Sequence, residues 1–157
     1  MNTIPLTDAN RAEVDAYIRD EWGGPMMVTL GNLFDTRALP GFIAVEGEQL
    51  VGAAIYRIDG EACEIAALYA LAENRGVGSA LTRAVVEAAK GLGCRRLWLV
   101  TTNDNTRAIR FYQKFGFALK AVHIGGFERA RRLKGELPEK GIDGIPIEHE
   151  FEFELLL

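Results

Sequence analysis

The first part of the chain alternates between one helical stretch and a series of extended runs. Residues 7 to 22, "TDANRAEVDAYIRDEW", place apolar and aromatic side chains at a helical spacing, which predicts an amphipathic helix. The members of that stripe are Val14, Tyr17, Ile18 and Trp22. Thr7 or Asp8 is the predicted N-cap, and the glycine-glycine-proline run at 23 to 25 is the predicted end.

Extended runs separated by short polar turns follow this helix. "MMVTL" predicts a strand, and "GNLFDTRALPG" predicts an irregular connection. The next runs are "FIAVE", "QLVGAAIYRI" and "ACEIAALYAL", and the turns between them are "GE" and "DGE". Turns of this length join antiparallel strands, so residues 42 to 71 predict a meander rather than a parallel crossover.

The second part of the chain shows two helical periods and three further extended runs. "GSALTRAVVEAAKGLG" repeats apolar residues every four positions and predicts a helix that stops at Gly91 or Gly93. "RRLWLVTT" predicts a buried strand. "NDNTRAIRFYQKFG" predicts another helix, with Asp104 or Asn105 as cap and Gly116 past its end.

Three segments remain. "FALKAVHI" predicts a strand, and "ERARRLKGELPEKGIDGIPI" predicts one helical turn followed by a loop. "EHEFEFELLL" alternates cleanly and predicts a final strand. The order predicts an α+β (mixed α/β) fold with a mixed central sheet of about six to seven strands, antiparallel in its first half, and flanking helices. A length of 157 residues favours one domain over residues 1 to 157.

Composition and charge narrow the classes of function. The chain is 48% hydrophobic and 25% charged, and its net charge of −4 argues against a non-specific nucleic-acid binder, which needs a basic footprint. The acidic N-terminus and the lack of a long apolar run predict neither a signal peptide nor a membrane span. Cys63 and Cys94 form no paired framework, which favours a reducing cytoplasm. His123 and His149 share no ligand spacing with them, so no metal is predicted.

The glycine loop "ENRGVGSAL" joins the last meander strand to a helix, an arrangement that can hold phosphate. A dinucleotide site needs a third glycine, but Ser79, Ala80 and Leu81 follow Gly76-Val77-Gly78. A mononucleotide loop needs Gly-Lys-Ser or Gly-Lys-Thr, which the loop lacks. Two interpretations remain from the loop alone: a pyrophosphate held by backbone amides, or an ordinary tight turn.

The later helix carries a second candidate pattern. Asn105, Ala108 and Tyr112 fall at positions i, i+3 and i+7, which is one helical face. In order and spacing, the two elements together resemble the GNAT acyltransferase superfamily, in which a Q/R-x-x-G-x-G/A loop precedes a helix of the form N-x-x-A-x-x-x-Y-x-x-x-G-F. The second form matches through "NTRAIRFYQKFGF", and the resemblance covers about residues 42 to 123.

The loop departs from the family pattern at one position. In the register that the apolar helix favours, the loop is Glu73-x-x-Gly76-x-Gly78, with Glu73 where the family usually has Gln or Arg. In the other register it begins at Arg75 and continues through Gly78 to Ala80. Both registers use the same amides.

The resemblance implies an N-acetyltransferase that uses acetyl-CoA. The pyrophosphate would bind backbone amides of residues 75 to 80. The strand around residues 68 to 71 would pair with the pantetheine arm, and Asn105 would hydrogen-bond the same arm. Tyr112 would face the sulfur. The residues implied in cofactor binding are Leu68, Tyr69, Ala70, Leu71, Asn74, Arg75, Gly76, Val77, Gly78, Ser79, Ala80, Asn105, Ala108 and Tyr112.

Acyl transfer to an amine needs a base, an oxyanion donor and a partner for the leaving thiolate. The amide of Leu68 or Ala70 is a candidate oxyanion donor. A phenol at pKa about 10 protonates a thiolate of about 8.5 only uphill, by about 2 kcal/mol, so Tyr112 is expected to act more as a hydrogen-bond donor. Glu64 is the candidate base, on the same side of its strand as Leu68 by alternation, or else it pairs with an arginine or faces solvent. His123 is a second candidate base or a structural residue.

The predicted acceptor is a primary amine of a small molecule or a peptide, and neither nucleic acid nor membrane is a predicted partner. A non-catalytic acyl-CoA-binding sensor or regulatory module is the alternative function. The oligomeric state stays open, although the alternating strand "EHEFEFELLL" could pair across a homodimer.

Overall fold

The computed structural model of the chain describes residues 1–135 and 137–157, and these residues form four α-helices and nine β-strands. The helices are α1 (Ala12–Trp22), α2 (Val77–Gly91), α3 (Thr106–Phe115) and α4 (Gly126–Lys134). The strands are β1 (Asn2–Pro5), β2 (Met26–Thr29), β3 (Asn32–Asp35), β4 (Gly41–Glu46), β5 (Gln49–Asp59), β6 (Ala62–Ala70), β7 (Arg96–Thr102), β8 (Ala118–His123) and β9 (Glu150–Leu156).

The chain divides into two compact units. The first comprises residues 1–25, 35–97 and 157, and the second comprises residues 26–34 and 98–156. In the first unit, β1, β4, β5 and β6 are neighbours in that order and all pair antiparallel, which confirms the predicted meander. In the second unit, β9 lies between β7 and β8. Seven strands in a mixed sheet and four helices confirm the predicted mixed α/β class.

In the first unit, α1 and α2 cover opposite faces of the meander. Tyr69 of β6 stacks on Tyr17 of α1, with ring centroids 3.8 Å apart. Ala70, the next residue of β6, faces the other side opposite Gly52, where Val77 of α2 packs. A side chain at Gly52 would place its Cβ 2.7 Å from Val77 Cγ1, so this glycine lets the start of α2 approach the sheet.

A β-bulge in β6 changes which side chains share a face. Ile55 pairs with Ala67, but the next residue of β5, Tyr56, pairs with Ile65, so Ala66 is the extra residue. A bulge bends its strand and reverses the alternation of the residues beyond it. Every residue of β6 before Ala66 therefore lies on the opposite face from the one that strict alternation predicts.

In the second unit, aromatic side chains form the packing around α3. Tyr112 lies 5.4 Å from Phe117 and 6.2 Å from Phe153 between ring centroids, and Phe111 lies 5.1 Å from it. Since β9 has a neighbour on each side, the prediction that this strand pairs across a dimer is wrong. Its backbone hydrogen bonds are directed to β7 and β8 instead.

The predicted start of the first helix is also wrong. Helix α1 begins at Ala12, with Arg11 at the N-cap position and no side-chain hydrogen bond there. The Thr7 N–H instead donates to Asn10 Oδ1 at 2.7 Å, because residues 7 to 10 form a turn of their own. The predicted end is confirmed, since Gly23 closes the helix with a φ of 74°.

Three elements differ from the sequence prediction by their presence or length. The segment predicted as an irregular connection contains β3, which pairs with β2 in a two-stranded sheet. Strand β1 was not predicted at all, because its four residues show no clear alternation. The segment predicted as one helical turn is the nine-residue helix α4. Within the described residues, no helix is both long and apolar enough to cross a membrane.

Candidate active site

The glycine loop leads directly into an open helix terminus. Asn74 and Gly76 have positive φ angles of 60° and 76°, and Val77 is the first residue of α2. No side chain of the described residues caps this terminus. The amides of Val77, Gly78 and Ser79 lie in the first turn, where a helix offers no carbonyl partner to its N–H groups. Together with the positive end of the helix dipole, they form an anion-binding terminus.

Two of the predicted phosphate donors in the loop already have partners within the chain. The Ala80 N–H donates to the Gly76 carbonyl at 3.0 Å, so this amide is already used inside the helix. The Arg75 guanidinium binds both carboxylate oxygens of Glu46, at 2.7 and 2.8 Å. Arg75 therefore points to the β4–β5 turn and holds the loop against it. The free donors of the loop are backbone groups.

The helix boundary supports one of the two motif registers. Because Gly76 is the N-cap and has a left-handed conformation, it corresponds to the first glycine of the loop motif. Glu73 is then the first motif residue, and it is exposed. Gly78 lies inside the first turn, where its carbonyl accepts a hydrogen bond of 2.7 Å from the buried Thr82 hydroxyl.

Two amides near the end of β6 point to the edge of the strand away from β5. The Leu71 N–H donates to the Val51 carbonyl at 2.9 Å, so Leu71 is directed to β5. Successive residues of a strand point their N–H groups to opposite edges, so Tyr69 is also directed to β5, and Leu68 and Ala70 point away from it. The predicted oxyanion donors are therefore the two residues whose amides face away from β5, and the amide of Leu71 is not available to a ligand.

Helix α3 carries the second motif with its predicted cap. Asn105 Oδ1 accepts a hydrogen bond of 3.2 Å from the Ala108 N–H, which confirms Asn105 as the N-cap. This bond commits the side-chain oxygen and leaves Nδ2 as the group that can donate to a ligand. Asn105 and Ala108 are half-buried and Tyr112 is buried, so the predicted face of the helix is turned inward.

The buried phenol of Tyr112 stays protonated at any physiological pH. Only 7% of the residue is exposed, and burial raises the pKa of Tyr112 well above its usual value of 10. Donation of a full proton to a thiolate is then even less favourable than the ordinary pKa difference suggests. The environment suits a neutral phenol that donates a hydrogen bond.

The structure corrects the predicted placement of Glu64. Glu64 of β6 pairs with Arg57 of β5. Because the bulge at Ala66 reverses the alternation between Glu64 and Leu68, the Glu64 side chain lies on the face of Tyr69 and not on that of Leu68. Glu64 is 2% exposed, and its Oε2 accepts a hydrogen bond from Arg57 Nε. The carboxylate thus sits beneath the α1 face with a cationic partner, which was one of the alternatives for it.

Both histidines of the second unit are held by hydrogen bonds. His123 Nε2 lies 3.0 Å from Glu152 Oε1. The Gly125 N–H donates to His149 Nδ1 at 2.9 Å, so neutral His149 carries its proton on Nε2 and has no free lone pair to act as a base. Glu150 and Glu152 of β9 are buried, and Glu152 is the hydrogen-bond partner of His123. Burial raises the pKa of Glu150, against the opposing effect of His123 and Arg129.

A comparison with known proteins decides what these two motifs belong to. The model of the acetyltransferase (GNAT) family matches residues 7–117. The chain belongs to this family. Family membership makes the protein an acetyltransferase. Among the described residues, no group of histidine, cysteine, aspartate and glutamate side chains could hold a metal ion.

A curated relative and solved structures match nearly the whole chain. An uncharacterised protein of Bacillus subtilis (strain 168), YdhI, is 42% identical over 154 residues, which cover 98% of this chain and 96% of the relative. An acetyltransferase of Bacillus subtilis in complex with CoA has a TM-score of 0.73 at 20% identity and covers 99% of this chain and 98% of its own. A GNAT family acetyltransferase of Elizabethkingia anophelis with acetyl-CoA bound has a TM-score of 0.71 at 18% identity, with 99% and 97% covered. The two solved structures share the fold of this chain.

Proposed function

We propose that the protein is an N-acetyltransferase that moves an acetyl group from acetyl-CoA directly to a primary amine of a small molecule or peptide. The observation that carries the proposal is the uncapped start of α2, with its first three amides free behind a left-handed Gly76. Backbone donors of this kind fit a pyrophosphate. Solved structures of the same fold bind CoA or acetyl-CoA, which supports the same ligand here.

The proposed contacts with acetyl-CoA use backbone groups of α2 and β6 and side chains of α3. Val77, Gly78 and Ser79 would donate to the pyrophosphate, and the edge of β6 at Leu68 and Ala70 would pair with the pantetheine arm. Asn105 would donate to the same arm through Nδ2. Asn74, Arg75 and Ala108 would shape the surroundings of the ligand without donating to it.

The proposed reaction is one nucleophilic substitution at the thioester carbonyl. The neutral amine attacks, so an N–C bond forms and the C–S bond breaks. The ammonium loses one proton to the base before attack, and the attacking nitrogen loses its second proton to solvent as the CoA thiolate leaves. The amide of Leu68 or Ala70 would stabilise the oxyanion. Tyr112 would donate a hydrogen bond to the thiolate, which takes up its proton from solvent.

Glu64 is the proposed base, acting through water. An amine of the lysine type has a pKa of about 10.4, so most of it is protonated at neutral pH and must lose a proton before attack. The Arg57 partner fixes the Glu64 carboxylate in position, but it also neutralises part of the charge that would attract that proton. The same ion pair is the observation that favours the second candidate function, a non-catalytic acyl-CoA-binding module.

A thiol-release screen separates these two functions. The protein is incubated with acetyl-CoA and a panel of simple amines, aminoglycosides and peptides with free N-termini, and free CoA is measured. Calorimetric titration with acetyl-CoA is run in parallel. Amine-dependent thiol release supports the enzyme, binding without thiol release for any amine supports the module, and the absence of binding contradicts both.

A further inference from the structure

Three aromatic side chains of α1 and β6 form a cluster that the catalytic roles above do not use. The rings of Tyr17 and Tyr69 stack at 3.8 Å with an interplanar angle of 18°. Trp22 lies 6.3 Å from Tyr17 and 6.5 Å from Tyr69 between ring centroids. We refer to Tyr17, Trp22 and Tyr69 as the α1 aromatic cluster.

Two polar atoms, one on α1 and one on β6, are buried without a partner among the described residues. Tyr69 is only 7% exposed, and its hydroxyl makes no hydrogen bond with any described residue. One oxygen of Asp15, Oδ1, is also buried and has no partner, whereas Oδ2 accepts from Arg11 Nε at 3.4 Å. A buried polar group without a partner costs about 1–3 kcal/mol, so the fold tolerates a penalty that a ligand would relieve.

The charge around the cluster is negative. Glu13, Tyr17 and Glu21 fall at i, i+4 and i+8 of α1, so the two carboxylates flank Tyr17 on one face of the helix. Burial raises the pKa of the Tyr69 phenol, and Tyr17, Glu13 and Asp15 raise it further. Burial and then Glu21 raise the pKa of Tyr17 in the same way.

The basic side chains beside α1 offset only part of this charge. Arg11 pairs with Asp15 at 3.4 Å and also donates to the carbonyls of Thr36 and Leu39, both at 3.3 Å. Arg19 pairs with Asp20 at 3.2 Å, so the charges of Glu13 and Glu21 remain. An anionic ligand would therefore be repelled, whereas a cationic group would find the unpartnered Tyr69 hydroxyl, negative charge and aromatic rings.

The cluster is joined directly to the proposed catalytic strand. Tyr69 lies between Leu68 and Ala70, whose amides point away from β5, and its side chain projects to the α1 face. A group bound at the cluster would thus sit one residue along β6 from each candidate oxyanion donor. This places the cluster where the far end of an acceptor, rather than the reacting amine, would bind.

We infer that the α1 aromatic cluster selects acceptors that carry a second positive charge, so that the substrates are diamines or amines with a basic group at their far end. This inference rests on the proposed function. The distal ammonium donates to Tyr69 Oη and contacts the rings of Tyr17 and Trp22. Because the Tyr69 hydroxyl is buried, this binding requires the half-buried Tyr17 side chain to rotate away from it.

Three amines of equal chain length test the charge preference. These are 1,6-diaminohexane, 1-aminohexane and 6-aminohexanoate, which differ only at the far end. We expect kcat/KM for the diamine to exceed that for 1-aminohexane at least tenfold, with 6-aminohexanoate the poorest. Equal values for the first two, or a preference for the carboxylate, would overturn the inference.

Two variants and one control assign the preference to the cluster. Tyr69→Phe keeps the ring and the strand backbone, so we expect the preference for the diamine over 1-aminohexane to fall about tenfold, as loss of a hydrogen bond to a charged group implies. The double variant Glu13→Gln/Glu21→Gln changes two exposed residues. It should reduce the preference for the diamine over 1-aminohexane several-fold without a folding defect. Tyr56→Phe removes a phenol from the opposite face and should leave the preference unchanged. An unchanged preference in both test variants contradicts the assignment.

Failure of catalysis and failure of this site give different results. If acetyl-CoA binds but no amine releases thiol, the proposed function fails. Calorimetric titration of 1,6-diaminohexane into the acetyl-CoA complex then still tests the cluster, because Tyr69→Phe should weaken that binding about tenfold. Absence of diamine binding, or equal binding by the variant, would overturn the site.

Discussion

The glycine loop before α2 and the motif face of α3 perform their proposed roles by different physical means. The loop is exposed, and its free donors are the backbone amides of residues 77 to 79. The face of α3 is turned inward, and its groups are the side chains of Asn105 and Tyr112. One region therefore depends on backbone conformation and the other on the identity of single side-chain atoms.

This difference determines which substitutions are informative in each region. In the loop, a side chain that changes φ or steric clearance should alter affinity for acetyl-CoA, since the donors themselves cannot be deleted. In α3, removal of one atom should alter turnover or one contact and leave the backbone in place.

Tyr112→Phe should have the largest effect. Loss of the hydroxyl removes the donor to the leaving thiolate, and removal of one such donor lowers kcat about a hundredfold in comparable sites. Steady-state kinetics should show little change in the KM for acetyl-CoA, because the ring still fills the space between Phe117 and Phe153. Weaker acetyl-CoA binding with unchanged turnover would contradict the proposed role.

Gly52→Ala should mainly reduce stability. The new Cβ would lie 2.6 Å from the Tyr69 carbonyl oxygen and 2.7 Å from Val77 Cγ1, so the start of α2 must move away from the sheet. We expect the free energy of unfolding to fall by about 1–3 kcal/mol, as overpacking does elsewhere, measured by urea denaturation. Gly91→Ala is the control, because its Cβ would meet nothing within 4 Å. Equal stability of the two variants would show that α2 does not need this clearance.

Gly76→Ala tests backbone conformation without any steric clash. Its Cβ would meet nothing within 4 Å, but the φ of 76° disfavours any residue with a side chain by about 1–2 kcal/mol. We expect the KM for acetyl-CoA to rise about tenfold with kcat nearly unchanged. Gly91→Ala in the same helix again serves as the control. If the substitution changes kcat and leaves the KM for acetyl-CoA unchanged, the loop acts in the chemical step and not in binding.

Asn105 has two roles that two substitutions can separate. Asn105→Ala removes the cap and should lower the free energy of unfolding by about 1 kcal/mol. Asn105→Asp keeps an oxygen for the Ala108 N–H and should retain that stability, while it removes the Nδ2 donor. Both variants should raise the KM for acetyl-CoA several-fold. If only Asn105→Ala raises the KM for acetyl-CoA, Asn105 acts only as the N-cap of α3 and not as a donor to the ligand.

The smallest expected effect is a pH dependence of stability from Tyr112. Burial raises the pKa of Tyr112 in the folded state above 10, so the unfolded chain loses this proton first as the pH rises. The contribution of the buried Tyr112 phenol to the free energy of unfolding is complete below pH 10. It declines as the pH rises further, by about 0.8 kcal/mol at pH 10.5. Denaturation at pH 8 and pH 10.5 should therefore show a smaller pH effect for Tyr112→Phe than for the unchanged protein. Identical pH effects would mean that Tyr112 is not buried as a phenol.

The sequence predicted most of the elements that form the two motifs, because each has a strong local signal. The meander has short turns between apolar runs, α2 has a four-residue apolar repeat, and α3 has a cap at Asn105 and a glycine at 116. Those signals act within about 15 residues, so they do not depend on the rest of the fold.

Features that depend on pairing between distant segments were not predictable in this way. The bulge at Ala66 arises only when β6 pairs with β5, and it moves Glu64 to the face of Tyr69. The Arg57–Glu64 pair and the buried glutamates of β9 likewise exist only once their strands are paired. The hydrogen bond from Ala80 to Gly76 could have been anticipated from helix geometry, had the start of α2 been known.

Steady-state kinetics of Gly76→Ala and Tyr112→Phe, measured together by amine-dependent thiol release, test the central claim most directly. We expect the two variants to change different kinetic parameters. Gly76→Ala should raise the KM for acetyl-CoA about tenfold at nearly constant kcat, and Tyr112→Phe should lower kcat about a hundredfold at nearly constant KM. If both variants change the same parameter, or neither changes any, the division between a backbone site for the pyrophosphate and a side-chain site for the sulfur is wrong.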